Sequence, residues 1–238
     1  RININKINNW KDSIIKKLSI GIEGLAKRRN VTIVNGTASF LSANKLKISS
    51  SSGDTSSIQF KNCVVATGST SSNIPNIIPD HQSILISRDA LNFNSIPDKM
   101  LIIGGGYIGL EMATFYKSIG TKIDIAEFLP TILSEMDIDL VNILKKHMNK
   151  RFNIMTDTKV IGISKENNQN KAIFQSKDGK EFAELYDKIL ICTGRIPNTH
   201  NLSIESTGIQ LNNNGFIEVN SQCRTLIPNI FAIGDVTG

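Results

Sequence analysis

The sequence predicts an α/β fold built around a parallel sheet that carries an antiparallel excursion. Residues 100–103 form an apolar run typical of a buried strand, and a glycine-rich turn and a helical pattern follow it directly. A second strand pattern, Lys122–Ala126, ends at Glu127, and the apolar run Lys188–Cys192 closes the segment. Strands that alternate with helices in this way favour a βαβαβ arrangement with parallel strands.

The domain organisation predicted from these patterns has three segments. Residues 71–197 contain the whole βαβαβ pattern, whereas residues 1–70 and 198–238 do not complete a domain in sequence order. A chain of 238 residues is long enough for two ordinary domains. We therefore expect the two flanks to fold against each other, with the middle segment inserted between them.

The first flank changes its periodicity once. Between residues 8 and 29 the apolar residues recur at helical spacing, which predicts one amphipathic helix. The runs Val31–Leu41, Lys45–Ser49 and Ser57–Ala66 are β-rich and separated by turn residues, which predicts an antiparallel segment. Residues 71–99 contain three of the six prolines and are predicted to connect two domains.

Beyond its glycine turn, the middle segment alternates between helices and strands. A helix is predicted over Leu110–Ile119, where Gly120 ends it, and a second over Asp137–Lys150. Short strands are predicted near residues 153–157, 159–164, 171–176 and 180–186. Strands that follow one another without helices favour antiparallel pairing, which is the basis for the predicted excursion.

The net charge is concentrated at the amino terminus. The whole chain carries +6, and its first 30 residues hold eight basic and two acidic residues, which accounts for all of it. A basic helix can bind nucleic acid or an acidic surface, but no nucleic-acid-binding motif accompanies this one. We therefore interpret it as a solvated face and expect no nucleic-acid partner. No apolar run approaches the roughly 18 residues of a membrane span, so no membrane association is predicted.

The three cysteines show no pattern typical of a metal or redox site. Cys63, Cys192 and Cys223 form no C-x-x-C pair and no cluster with histidine, so no metal is predicted. Cys63 and Cys192 lie within apolar runs and are predicted to be small buried residues. Cys223 lies next to Arg224, whose charge favours a reactive thiolate, but an ordinary thiol is the favoured interpretation.

The glycine-rich turn is the strongest functional signal. Gly104, Gly106 and Gly109 form a G-x-G-x-x-G motif that directly follows a strand and opens a helix. In such a loop the first glycine permits the tight turn, the second lets the main chain approach a pyrophosphate, and the third permits close helix–strand packing. The helix amino terminus adds free N–H groups and a partial positive charge. We therefore predict a dinucleotide site that includes Gly104, Gly105, Gly106, Tyr107, Ile108 and Gly109.

Glu127 determines which dinucleotide we expect. It lies 18 residues after Gly109, at the end of the second strand, where a carboxylate can accept both hydroxyls of the NAD ribose. The same carboxylate would repel the 2′-phosphate of NADP, and residues 128–133 contain no cation to bind it. The sequence therefore predicts NAD(H) as the cofactor; the alternative is that Glu127 is a surface carboxylate at a strand end.

Four motifs together resemble those of the flavoprotein disulfide reductases, the class I pyridine nucleotide-disulfide oxidoreductases. Gly104–Glu111 resembles that family's NAD loop, Ala66–Ser69 and Thr193–Asn198 resemble its two domain crossovers, and Ile230–Asp235 resembles its second flavin motif. The motifs occur in the family's order over the whole chain. The resemblance implies a Rossmann-like NAD-binding domain inserted in an incomplete FAD-binding domain.

The resemblance assigns several residues to the NAD side of a catalytic site. Tyr107 would cover the flavin until the nicotinamide displaces it, and Glu111 would pair with a lysine near the flavin's reactive nitrogen. Both would only support catalysis, and an ordinary helix carboxylate is the alternative for Glu111. Val160, Thr193 and Gly194 would line the adenosine and nicotinamide regions of NAD.

Four further residues fall on the flavin side of the resemblance. Asp235 would bind the ribityl chain of FAD, and its position directly after a strand and a glycine also favours a ligand role. Ala38 would approach the flavin's adenine through its main chain, although glycine is more usual there. Thr67 and Gly68 belong to the first crossover and are included among the cofactor-binding residues.

Several elements of the family are missing from the sequence. They are the first glycine loop, the redox pair C-x-x-x-x-C, the lysine expected beside Glu111, and the carboxyl-terminal dimer domain with its His–Glu pair. We therefore expect an internal fragment of a longer protein that binds NAD(H) but is inactive by itself.

The stretches Trp10–Gly36 and Gly215–Gly238 are most similar to the branch of the family that oxidises dihydrolipoyl groups. The full-length protein is therefore expected to be a cytoplasmic homodimer that uses FAD and NAD. Its expected partner is the lipoyl-bearing acyltransferase of a 2-oxo acid dehydrogenase complex. The alternatives are another family member, such as a soluble transhydrogenase or a mercuric or glutathione reductase-like enzyme, or a non-catalytic NAD-binding module.

Overall fold

The computed structural model describes residues 2–238, and this part of the chain divides into two compact units. Unit 1 comprises the residues up to Lys16 together with Ser71–Gly194, and unit 2 comprises Lys17–Thr70 together with Arg195–Gly238. The residues up to Lys16 therefore group with the middle segment, whereas they were predicted to belong to the flank formed by residues 1–70. Each unit is described separately below.

Within residues 2–238 the chain forms four α-helices, fifteen strands and two 3-10 turns. The helices are α1 (Ile4–Arg28), α2 (Ser87–Ala90), α3 (Tyr107–Ser118) and α4 (Ile138–Met148). The strands are β1 (Thr37–Ser42), β2 (Lys45–Ser49), β3 (Thr55–Gln59), β4 (Cys63–Val65), β5 (Ser69–Ser71), β6 (Ile84–Ile86), β7 (Lys99–Ile103), β8 (Lys122–Ala126), β9 (Asn153–Met155), β10 (Thr158–Glu166), β11 (Gln169–Ser176), β12 (Glu181–Tyr186), β13 (Lys188–Ile191), β14 (Arg195–Pro197) and β15 (Ile230–Ala232). The 3-10 turns cover Ile204–Ser206 and Gly234–Val236.

A five-stranded parallel sheet forms the centre of unit 1, with the order β6-β13-β7-β8-β9. Successive side chains of β7 point to opposite faces, and both faces are covered. Met100 and Ile102 pack against α3 and α4, whereas Leu101 and Ile103 pack against the antiparallel sheet β10-β11-β12. The unit therefore has three layers, which explains why the strands predicted from continuous apolar runs are buried on both faces.

The strand β6 was not predicted from the sequence. Residues 71–99 were expected to be a connection, yet Ile84–Ile86 pairs in parallel with β13 at the edge of the central sheet. Three residues between Ser83 and Ser87 are too short a run to show a periodicity. The pairing exists because β13 offers a free edge, which is a tertiary feature.

The first half of α1 belongs to unit 1 through a few contacts. Ile4 and Ile7 pack against the helix-side apolar cluster, and the Asn8 side-chain amide donates a 2.8 Å hydrogen bond to the carbonyl of Phe93. The helix begins at Ile4, four residues before the predicted start, where Asn3 Oδ1 accepts a 3.0 Å hydrogen bond from the Lys6 N–H and caps the first turn. None of the side chains along α1 is fully buried.

Unit 2 contains one antiparallel sheet and two short strand pairs. The sheet has the order β1-β2-β3, β4 pairs in parallel with β15, and β5 pairs with β14. One apolar cluster holds the unit together and includes Phe40, Val65, Ile204, Ile217 and Ile230.

Two of the predicted β-rich runs are corrected by the structure of unit 2. The run Val31–Leu41 forms a strand only from Thr37, since residues 31–35 have no regular structure. The run Ser57–Ala66 splits into β3 and β4, which join different sheets. Propensity alone does not reveal such a split because each pairing is decided by residues distant in sequence.

Within residues 2–238, no helix is both long and apolar enough to cross a membrane.

Candidate functional site

The carboxyl ends of β7, β8 and β13 meet at one edge of the parallel sheet in unit 1. The Gly104 N–H donates to the Ala126 carbonyl at 2.8 Å, and the Cys192 N–H donates to the Ile103 carbonyl at 2.8 Å. The chain continues from β7 to β8 on one side, while β13 lies on the other side of β7. This reversal of strand order is where open parallel sheets place their ligands.

The three motif glycines have different surroundings. A β-carbon at Gly104 would lie 2.3 Å from the carbonyl oxygen of Cys192, and one at Gly109 would lie 2.2 Å from that of Gly104. Gly104 also has a φ of +109°, a backbone conformation that favours glycine. At Gly106 no heavy atom lies within 4 Å of the β-carbon position. Two glycines are thus required by packing, and the third leaves an open cradle.

The carboxylate of Glu127 is held by two main-chain donors. The Gly105 N–H donates to Oε2 at 2.6 Å, and the Leu129 N–H donates to Oε1 at 2.8 Å. Each oxygen keeps a further lone pair for another donor. The half-buried side chain therefore lies beside the glycine loop in a fixed orientation, which suits it to accept the two hydroxyls of a ribose.

The helix α3 begins at the glycine loop, with Gly106 as its N-cap residue. Its first N–H groups have no intrahelical partners, and the helix dipole adds a partial positive charge at that end. Tyr107 is 58% exposed, Ile108 is half-buried, and Glu111 is exposed one turn after Tyr107. Among residues 2–238 Glu111 forms no ion pair.

Thr193 and Gly194 follow β13 at the same edge. The main-chain nitrogen of Thr193 lies 3.2 Å from the β-carbon position of Gly104, which brings these two predicted residues together. The hydroxyls of Thr193 and Ser72 are 3.0 Å apart, and Gly194 has a φ of +136°.

Val160 differs from the other predicted residues because its side chain is buried. It belongs to the apolar cluster between the parallel sheet and β10-β11-β12. The neighbouring Thr158 donates its N–H to the Glu127 carbonyl at 2.9 Å, which attaches the start of β10 to the end of β8. Only the main chain of Val160 is therefore available to line a ligand.

The predicted residues of unit 2 lie on β1, on the crossover and after β15. Ala38 is half-buried on β1. The Thr67 hydroxyl donates to the Asn198 carbonyl at 3.0 Å, and the Gly68 carbonyl accepts from the Asn198 N–H at 2.9 Å. Gly68 has a φ of +67°.

Asp235 has two partners that the sequence analysis did not identify. Its Oδ2 accepts a 2.8 Å hydrogen bond from the Ser69 hydroxyl and lies 3.3 Å from Nε of Arg195. Arg195 also donates to the Ser69 carbonyl at 2.8 Å. Ser69 and Arg195 belong to the two crossover motifs, but their shared contact with Asp235 spans long stretches of sequence and leaves no local signal.

The prediction that Cys63 and Cys192 are buried is wrong, because Cys63 is the first residue of β4 and Cys192 follows the last residue of β13. All three are free thiols of intermediate exposure. Burial raises the pKa of Cys63 and raises that of Cys192 to about 12, so both thiols stay protonated at neutral pH. In the described part of the chain, no three side chains of His, Cys, Asp or Glu are grouped so that they could hold a metal ion.

The family follows from comparison with known proteins. The family model described as "Pyridine nucleotide-disulphide oxidoreductase" matches residues 2–238. The chain belongs to this family. It is 41% identical over 238 residues to dihydrolipoyl dehydrogenase from Buchnera aphidicola subsp. Schizaphis graminum and 38% identical to that from Vibrio cholerae. In both cases the match covers 100% of this chain and 50% of the relative, so the chain spans about half the length of these curated relatives.

Solved structures of the family have the same fold. LpdA from Mycobacterium tuberculosis superimposes with a TM-score of 0.90 at 23% identity, over 100% of this chain and 52% of its own. The HOCl-induced flavoprotein disulfide reductase RclA from Escherichia coli gives a TM-score of 0.83 at 27% identity, over 97% of this chain and 52% of its own. The α/β class with a parallel sheet and antiparallel strands is thereby confirmed.

Proposed function

We propose that this chain is the NAD(H)-binding part of a dihydrolipoyl dehydrogenase. The names of its relatives support the enzyme class, since identities of 38–41% extend over the whole chain. The observation that carries the cofactor assignment is the position of Glu127, whose carboxylate is fixed 2.6 Å from the N–H of Gly105 beside the open cradle at Gly106.

The described residues fit NAD(H) along its length. The main chain at Gly106 and the first turn of α3 would bind the pyrophosphate, and Glu127 would accept the adenosine ribose hydroxyls. Thr193 and Gly194 would lie beside the remainder of the cofactor. When bound, the nicotinamide supplies hydride transfer, and the protein contributes binding and orientation. Tyr107, exposed at the first turn of α3, would cover the flavin of the full-length protein until the nicotinamide displaces it.

The described residues do not fit FAD in the same way. The sequence holds one G-x-G-x-x-G loop, at Gly104–Gly109, so no second loop of this kind is available for a flavin pyrophosphate. Asp235 is exposed and could bind a ribityl hydroxyl, and Ala38, Thr67 and Gly68 stay predicted contacts of the flavin. We therefore derive no flavin step from these residues and assign FAD binding to the full-length protein.

The wider role is proposed from the relatives. The full-length protein would be a homodimer that uses FAD and NAD to reoxidise dihydrolipoyl groups on the acyltransferase of a 2-oxo acid dehydrogenase complex. The 238-residue chain by itself would bind NAD(H) without oxidising dihydrolipoamide. A thiol-to-flavin relay needs two neighbouring thiols and a base, and the three cysteines of this sequence form no C-x-x-x-x-C pair.

The proposed binding of NAD(H) is tested by placing a side chain in the open space at Gly106. Gly106→Val places a side chain where the structure has open space, and its extended backbone (φ −75°, ψ 177°) accepts valine without strain. We expect a folded protein that no longer binds NADH, measured by calorimetric titration. The control is Gly162→Ala on β10, where the new β-carbon makes only an ordinary 3.8 Å contact with Ile173. If Gly106→Val binds NADH as well as the control does, the proposed cradle is wrong.

The preference for NADH over NADPH tests the role of Glu127. We expect the unmodified chain to bind NADH at least about tenfold more tightly than NADPH, because the carboxylate accepts ribose hydroxyls and repels a phosphate. Glu127→Gln removes the charge at similar size and is expected to reduce this preference. Equal affinities in the unmodified chain would exclude Glu127 as the selecting residue.

The inactivity of the chain by itself is tested by assaying dihydrolipoamide-dependent reduction of NAD⁺ with added FAD. We expect no activity above background. Activity that disappears in Cys223→Ser would show that the chain holds a redox centre that we have not identified.

A further inference from the structure

Phe128 is an exposed aromatic residue directly after Glu127. Its side chain is 67% exposed, although a large apolar ring is normally stabilised by burial. Within residues 2–238 Phe128 joins none of the aromatic pairs and none of the three apolar clusters. A single exposed apolar residue is common in proteins, so exposure alone does not indicate a function.

The main chain on both sides of Phe128 is fixed by hydrogen bonds. The Glu127 carbonyl accepts from the Thr158 N–H at 2.9 Å, and the Leu129 carbonyl accepts from the Asp157 N–H at 3.1 Å. The Glu127 carboxylate also accepts from the Leu129 N–H, which closes a tight turn around Phe128. The turn is therefore held rigidly, and the ring is presented to solvent from a preorganised position.

The position of the ring relative to Glu127 suggests which group covers it. If Glu127 holds the adenosine ribose, the adenine is attached to that same sugar and must lie within a few ångströms of it. The residue that follows Glu127 is then within reach of the base. Residues 128–133 carry no charge, so the surface beside the ribose is apolar and suited to a flat aromatic base rather than to a phosphate.

We propose that Phe128 stacks on the adenine of the bound dinucleotide. This inference rests on the proposed binding of NAD(H) and assigns to Phe128 the positioning of the adenine end. An aromatic ring and a base attract each other through their faces whichever base is present, and the contact removes the exposed ring from water. The ring would add affinity without selecting between NADH and NADPH, which Glu127 does.

The first experiment compares two alanine substitutions at exposed apolar residues of unit 1. Phe128→Ala is expected to weaken binding of NADH and of ADP-ribose by the same factor, about 5- to 100-fold, as is usual for loss of a base–aromatic stack. The control, Leu140→Ala, removes a side chain that is 62% exposed on α4 and is expected to change neither affinity. Calorimetric titration of both ligands measures the two variants, and the NADH-to-NADPH preference should stay unchanged in each.

The second experiment reports the contact directly. In Phe128→Trp, AMP and ADP-ribose are expected to quench the new indole fluorescence, because a stacked adenine quenches tryptophan emission. In Leu140→Trp the same ligands are expected to have no effect, and the native Trp10 provides a background common to both variants.

Three results would overturn the inference. They are wild-type affinity for NADH in Phe128→Ala, an equal loss in Leu140→Ala, and an unquenched Trp at position 128 in a variant that still binds NADH. Each of these leaves NADH binding by the unmodified chain intact. The proposed function fails separately if the unmodified chain binds neither NADH nor ADP-ribose, and the inference then fails with it.

Discussion

Unit 1 and unit 2 bury their apolar residues to different extents. In unit 1 three consecutive residues of β7, Met100, Leu101 and Ile102, are fully inaccessible, because helices cover one face of the sheet and an antiparallel sheet covers the other. In unit 2 all five residues of β3 are exposed. The second half of α1 exposes Leu18, Ile22 and Leu25 as well. A parallel sheet covered on both faces can bury every residue of a strand, whereas a small antiparallel sheet buries alternate residues at most.

Two kinds of sequence pattern, continuous apolar runs and helical periodicity, also differ in how well they predicted burial. Continuous apolar runs predicted the strands of unit 1, and their burial follows from the layers on each side. The helical periodicity of residues 8–29 predicted a helix correctly, but in residues 2–238 its apolar side chains remain largely exposed. A periodic pattern therefore predicts which residues share a face and does not predict what that face contacts.

The largest expected effect is a difference in the response to truncation of isoleucine. Ile102→Ala is expected to lower the free energy of unfolding by about 2–5 kcal/mol, because it leaves a cavity in a fully buried position. Ile22→Ala, at a position that is 67% exposed on α1, is expected to change it by less than about 0.5 kcal/mol. Urea unfolding measures both, and equal losses would remove the distinction between the units.

Two glycines, one in each unit, are expected to be required for different reasons. Gly109→Ala is expected to cost about 1–3 kcal/mol, since its β-carbon would lie 2.2 Å from a main-chain oxygen. Gly68→Ala in unit 2 is expected to cost about 1–2 kcal/mol for a different reason, its φ of +67°, because open space surrounds its β-carbon position.

Asparagine distinguishes these two causes, because it tolerates a left-handed backbone but needs more space than alanine. Thermal unfolding of Gly68→Asn should show stability close to that of the unmodified protein, whereas Gly109→Asn should be less stable than Gly109→Ala. The reverse order would mean that the two glycines are required for other reasons.

Alkaline pH should destabilise unit 1 through the half-buried thiol of Cys192 and the buried phenol of Tyr116. Burial raises the pKa of Cys192 from 9.0 to about 12 and that of Tyr116 from 10.0 to about 12. A group with a raised pKa in the folded state stabilises fully below its ordinary pKa, and this contribution is lost as the pH rises towards the folded value. The free energy of unfolding should therefore decrease between pH 9 and 12. Cys192→Ala should reduce the slope over this range, and an unchanged slope would contradict the assignment.

The smallest expected effect concerns the ion pair between Arg195 and Asp235 in unit 2. Asp235 is 60% exposed at its side chain, so solvent screens the pair. Arg195→Met is expected to lower the free energy of unfolding by no more than about 1 kcal/mol, and the difference should disappear in 1 M salt. A larger, salt-independent loss would show that the two hydrogen bonds of Arg195 to Ser69, and not the charge, stabilise this part of unit 2.

Local sequence patterns were enough to predict the features that depend on neighbouring residues. The strand before the glycine loop and the strand ending at Glu127 have the predicted positions, because backbone geometry and apolar spacing are set within a few residues. The helix that the loop opens was also predicted, but it begins at Tyr107, three residues before the predicted Leu110. The α/β class follows from these elements and is confirmed by the relatives. The predicted role of each site residue still depends on the binding experiments.

Tertiary structure alone decided the contacts between residues far apart in sequence. The strand β6 exists because β13 leaves an edge free, and Glu127 has its orientation because Gly105, 22 positions earlier, donates to it. The side chain of Val160 is buried because β10, on which it lies, packs against the parallel sheet, so only its main chain is available for its predicted role. Asp235 gained partners at Ser69 and Arg195 for a similar reason. Such contacts arise from how the chain closes on itself, and no local spacing encodes which of many possible partners is reached.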